Sequence, residues 1–149
     1  MADPQFTDVN VTFHFAAPDG ETWGFTAESF AARLVAQWPG TRHEECDSLP
    51  GWGRQLRFGV PDDGLMFDGS FDPQRQSLYL RYLPVVTTAV FVQWLQQVIP
   101  PGGRIRFSSD DALELGIERD FWIPEAGTQE QIVQTLTDHL VKVEVEAEE

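Results

Sequence analysis

Three stretches of this chain alternate apolar and polar residues, and that alternation commits it to a β-sheet with one dry face. Val9, Val11, Phe13 and Phe15 alternate with Asn10, Thr12 and His14; Leu56, Phe58 and Val60 alternate with Arg57 and Gly59. In Ser77–Leu83, Leu78, Leu80 and Tyr82 fall on one face and Tyr79, Arg81 and Leu83 on the other. Successive strand residues point to opposite faces, so a period of two sends one row into a core and the other into water. Leu65–Phe71 reads as a weaker strand, interrupted by Asp68-Gly69. The intervening turns, Pro61-Asp62-Asp63-Gly64 and Asp72-Pro73, are short. They fit an antiparallel meander. Further short strands are expected at Trp23-Gly24-Phe25, Arg104–Phe107 and Glu118–Ile123. Residues 41–53 read as a loop.

A sheet with one dry face needs a cover, and three amphipathic segments supply it. Phe30, Leu34, Val35 and Trp38 form a stripe over 27–38, with Thr26 as N-cap and Pro39-Gly40 as the stop. Phe91, Trp94, Leu95 and Val98 recur at helical spacing over 85–99, closed by Pro100-Pro101-Gly102-Gly103. Ile132, Val133, Leu136 and Leu140 mark a helix over 129–140, opened by the capping box Thr128-Gln129-Glu130-Gln131. Residues 141–149 alternate Val with charge and read either as an edge strand or as a frayed acidic tail. The expected fold class is α+β: a mainly antiparallel sheet with three amphipathic helices packed mostly on one face, in a single domain spanning 1–149.

Charge narrows the function. The chain holds 24 acids against 10 Lys+Arg, a formal charge of −14. Residues 108–149 contribute −10 of it, with Arg119 and Lys142 as their only bases. Such a field opposes nucleic acid backbones and anionic membranes and favours basic partners. No apolar run approaches the roughly 18 residues of a membrane span. Met1-Ala2-Asp3-Pro4-Gln5 shows no secretory pattern, and the single cysteine, Cys46, has no partner for an internal disulfide. Together these give a cytoplasmic expectation.

No catalytic motif is assembled. Gly59-Val-Pro-Asp-Asp-Gly64 has the glycine spacing of a phosphate loop, but Leu65 and Met66 stand where Lys and Ser/Thr are required. Ser70 lacks the flanking glycines of a nucleophile elbow. The acids around Cys46 disfavour a thiolate. His43-Glu44-Glu45-Cys46-Asp47 has metal-binding residue types without a zinc or calcium spacing. No metal, cofactor or catalytic residue is therefore assigned, and the reading leans away from an enzyme.

The expected function is a protein-binding module, in one version an inhibitor or immunity-type protein masking a basic surface. Its expected contact residues are Asp110, Asp111, Glu114, Glu118 and Asp120 with the aromatics Phe121, Trp122 and Trp52. Two alternatives stay open: a small anionic-ligand binder using Arg57, Arg81 and Arg106 on the wet sheet face, or an enzyme with a carboxylate pair scattered in sequence. The arginines would equally serve as ion-pair partners for the acids of the last third. Cys46→Ser and treatment with a chelator should each leave the melting temperature unchanged; a drop with chelator, or zinc in elemental analysis, would overturn this.

Overall fold

The computed structural model describes residues 10–47, 53–62, 65–117 and 121–147. Among these, seven strands pair antiparallel: β1 (Asn10–Ala16), β2 (Arg42–Asp47), β3 (Arg54–Asp62), β4 (Leu65–Asp72), β5 (Ser77–Pro84), β6 (Arg106–Ser109) and β7 (Phe121–Trp122). Their spatial order is β2-β3-β4-β5-β1-β6-β7. The meander β2–β5 is thus extended on the far side of β5 by β1, the first strand in sequence.

Register turns the sequence alternation into two faces. Leu56, Phe71, Leu78, Phe15, Phe107 and Phe121 are successive cross-strand partners, and they form an apolar row across six strands. One residue along, Glu44, Arg57, Ser70, Tyr79, His14 and Ser108 form a polar row on the opposite face.

Helices α1 (Ala27–Gln37), α2 (Val85–Val98) and α4 (Gln129–Ala147) cover the apolar row; α3 (Asp110–Glu114) is a short turn after β6. Phe30 of α1 stacks on Phe71 with ring centroids 4.4 Å apart. Phe91 of α2 packs on Phe58 and Phe67, and His139 of α4 on Phe13 and Phe107. The fold is α+β, as the patterning predicts. Leu34, Trp38, Phe91, Trp94, Leu95, Leu136 and Leu140, the stripe residues, are all buried. Both expected caps form: Thr26 Oγ1 accepts from the Ser29 N–H, and Thr128 and Gln131 bond reciprocally. Val35 departs from its stripe and is exposed. Among the described residues, no helix is long and apolar enough to cross a membrane.

In β5 the alternation breaks after Leu80: Leu83 is buried and Tyr82 exposed, because Tyr82 has a positive φ where the β1–β5 register shifts. Three further elements differ from expectation, each for a local reason. Residues 42–47 form strand β2 at the sheet edge instead of a loop. Its charges hid its periodicity, yet charge is what keeps an edge strand from pairing with other chains. Trp23-Gly24-Phe25 is not a strand. A buried glutamine takes the place of a strand neighbour: Gln76 Oε1 accepts from the Phe25 N–H, and Gln76 Nε2 donates to the Phe25 and Pro73 carbonyls. Residues 141–147 continue α4 instead of forming an edge strand or a frayed tail. Leu136, Leu140 and Val143 keep one stripe at helical spacing, and Val143 is buried.

Gly69, read as an interruption, is what allows β4 to continue. A Cβ there would lie 2.4 Å from the Tyr79 carbonyl oxygen and 2.7 Å from the Phe58 ring.

Trp94 joins Trp38, Phe30 and Phe91 in the aromatic centre between α1, α2 and the sheet. Trp94→Ala should lower the unfolding free energy by about 3–5 kcal/mol, through lost transfer energy and the cavity left behind. Urea denaturation would measure it; a loss below about 1 kcal/mol would show that this centre is not where stability is concentrated.

Candidate functional site

The acidic third of the chain is anchored by a buried polar joint. Ser109, at the end of β6, has its Oγ 2.8 Å from His139 Nε2 and accepts from the Ala112 N–H, capping α3. Both side chains are buried, and the His139 ring meets Phe121 edge-on at 4.2 Å. This Ser–His contact is closed to substrate and acts as a fastener between β6, α3 and α4. On the other side of α3, Asp110 bonds His14 of β1. Ser109 and Asp110 therefore fix α3 between the sheet and the last helix.

That placement opens a groove of about 380 Å³ between α3 and the end of α4. Val11, Leu115, Leu140 and Val143 supply its apolar surface; Asp111, Glu114 and Glu144 supply its charge. Leu115 is half exposed. The electrostatics are one-sided. Asp110 and Asp111 sit in the first turn of α3, where the helix dipole favours them. Glu144 lies near the C-terminus of α4, whose last turn has no base, so the helix dipole opposes its charge.

Asp110, Asp111 and Glu114 share α3 and are exposed. Phe121 turns into the core side against Phe107 and His139. Trp122 is the cross-strand partner of Arg106 on the open sheet face, with the Arg104 guanidinium 3.9 Å from its ring centroid. The two aromatics therefore point to opposite faces. Glu118, Asp120 and Trp52 lie outside the described residues.

The arginines also separate. Arg106 donates to the Ala17 carbonyl and pairs with Asp19 at 3.0 Å. Asp19 lies near the start of the chain. Arg57 and Arg81 line a second depression with Arg42 and Asp68, over β2–β5. Arg57 and Arg81 form no ion pair with the acids of 108–149 among the described residues.

Strand geometry dissolves the His43–Asp47 cluster. Glu44 and Cys46 face with Arg57 and Gln55, whereas His43 and Glu45 face with Phe58 and Leu56 on the other side. Among the described residues, no group of three or more His, Cys, Asp or Glu is placed to hold a metal ion. The groove residues Val11, Leu115, Leu140, Val143 and Glu144 were not singled out as a site by sequence. The Leu136–Leu140–Val143 spacing was the available signal, since extending the helix to Val143 brings Glu144 beside α3.

Comparison with protein-family models, with curated proteins and with solved structures finds no match for this chain.

Ser109→Ala removes the cap of α3 and the partner of His139 together. It should cost about 1–3 kcal/mol in a denaturation experiment. Amide exchange should accelerate at Ala112 and Leu115 more than in β3 or β4; uniform acceleration would show that the joint is not local.

Proposed function

We propose that the protein is a non-enzymatic binding module that docks a basic protein partner in the groove between α3 and α4. The observation that carries this reading is the pairing of an apolar surface with three carboxylates, Asp111, Glu114 and Glu144, in one concavity. An apolar side chain of the partner would bury against Leu115, Leu140 and Val143, and flanking Lys or Arg residues would meet the carboxylates. A partner cation at Glu144 would also offset the unfavourable helix dipole there. An inhibitor or immunity-type protein that masks a basic toxin or enzyme surface in the cytoplasm is the concrete form this takes. The chain's −14 charge supports it, because a field of one sign accelerates encounter with the opposite sign.

The structure alters the residue assignment of this reading. Phe121 faces the core and Trp122 stands on the open sheet face, so neither lines the groove. The apolar anchor is assigned instead to Leu115, which is half exposed.

The test is a kinetic titration of a partner captured at low salt from the native host. Asp111→Asn, Glu114→Gln and Glu144→Gln combined should lower the association rate about tenfold or more and flatten its salt dependence. Screening should have the same effect on the parent protein as the Debye length falls from about 10 Å at 0.1 M to about 3 Å at 1 M salt. Leu115→Ala should mainly raise the dissociation rate, since apolar contacts form after encounter. An acidic partner, or an association rate indifferent to salt, would overturn the reading.

A further inference from the structure

The helices leave the other sheet face open, and part of it is a floor of small side chains. Ala16 of β1 and Ser77 of β5 are direct cross-strand partners, and Ser70 of β4 extends the floor beyond them. Leu113 of α3 and Ile117 after it form a wall, and Tyr79 and His14 rise beside it. The depression encloses about 610 Å³, inside the roughly 300–1,000 Å³ range of small-molecule sites. Leu113 is 54% exposed, so most of its apolar surface has no cover within the protein. Uncovered apolar surface beside a concavity is where a ligand gains most from burial.

The charges around this floor are balanced within the protein. Asp72 accepts from the Gln74 and Arg75 N–H groups and pairs with Arg75 Nη1 at 2.9 Å. Arg106 pairs with Asp19 at 3.0 Å and donates to the Ala17 carbonyl. His14 bonds Asp110. A charged ligand would leave water and meet no unpaired counter-charge, which is unfavourable. The lining offers hydroxyls instead. Those of Ser77 and Tyr79, two residues apart on one face of β5, bond no other group among the described residues. Both residues are half-buried, so a hydrogen bond formed there is partly shielded from water.

We infer that this depression binds a neutral small molecule with a flat apolar body and a carbonyl oxygen. The body lies on Ala16 and Ser70 against Leu113 and Ile117, and the carbonyl accepts from the Ser77 and Tyr79 hydroxyls. The flat body follows from the sheet floor, and the neutrality follows from the balanced charges. The site has no lining residue in common with the groove between α3 and α4. Partner docking and this assignment therefore stand or fall separately.

The test is an amide-shift titration of the full-length protein with two neutral probes, naphthaleneacetamide and acetonaphthone. Naphthaleneacetate and naphthylmethylammonium present the same rings with a charge of each sign. At least one neutral probe should move the Ser77, Tyr79 and Leu113 amides saturably, with a Kd below about 1 mM. Both ions should bind about tenfold weaker than that probe. The overall charge of −14 favours the ammonium, so preference for a neutral probe isolates the lining from the bulk field. Tyr79→Phe keeps the ring and removes the hydroxyl; it should weaken neutral binding about fivefold. Leu113→Ala removes the wall at an exposed position; it should weaken binding about fivefold or more with the melting temperature retained. The inference is overturned by no saturable shift with either neutral probe, by an ion binding as tightly as the neutral probes, or by shifts confined to Leu115 and Val143. Undiminished binding in either folded variant overturns it equally.

Discussion

The stacking of Phe30 on Phe71 joins the two halves of this structure. Phe71 sits in β4 within the apolar row, and Phe30 is the central buried residue of α1. Around them Phe25, Phe58 and Trp94 pack edge-on or tilted, and Phe91 and Trp38 continue the cluster toward α2 and β4. Aromatic rings bury large areas with few rotatable bonds, so this cluster fixes the distance and angle between helices and sheet. The three covering helices lie on one side of the sheet because the rings do. The wet face is the necessary complement: where the apolar row needs a cover, the polar row beside it needs water or a ligand.

α3 lies between two concavities. Leu113 walls a depression on the open sheet face, while Asp111, Glu114 and Leu115 wall the groove toward α4. A helix of five residues presents different faces to both because it is fixed at Ser109 and Asp110. The short length matters, since a longer helix would cover one of them.

The sequence made the layered architecture legible and left the sites largely hidden. Alternation in Phe13–Phe15, Leu56–Val60 and Leu78–Leu80 identified the buried row because those strands are wet on one side only. Thr26 and Thr128 marked helix starts because a capping hydroxyl acts within three residues of itself. β2 was invisible because its strand state comes from pairing with β3, not from its own apolar pattern. The end of α4 was misleading: Val141, Val143 and Val145 alternate with charge as a strand would, and only packing of Val143 distinguishes the two periods. Both concavities are made by distant segments, Val11 with Val143, and Ala16 with Ile117. Local patterning holds no record of such pairs. The candidate acids Asp110, Asp111 and Glu114 were found through bulk charge, whereas the charge of Glu144 became informative only once α4 was known to reach it.

Gln76 has a consequence for how the structure breathes. Its carbonyl accepts from the Ala17 N–H, and its side chain serves the backbone of Phe25 and Pro73. One residue thereby clasps the chain as it leaves β1, the approach to α1 and the β4–β5 turn. Strand ladders share their load over many bonds, so they open cooperatively; a clasp opens when one side chain rotates. Residues 17–25 are held at further points, because Trp23 and Phe25 are buried and Trp23 Nε1 donates to the Arg104 carbonyl, so rotation of Gln76 loosens the segment at its two ends without freeing it. That loosening would also shift Asp19, and with it the ion pair that Arg106 makes at the rim of the open face.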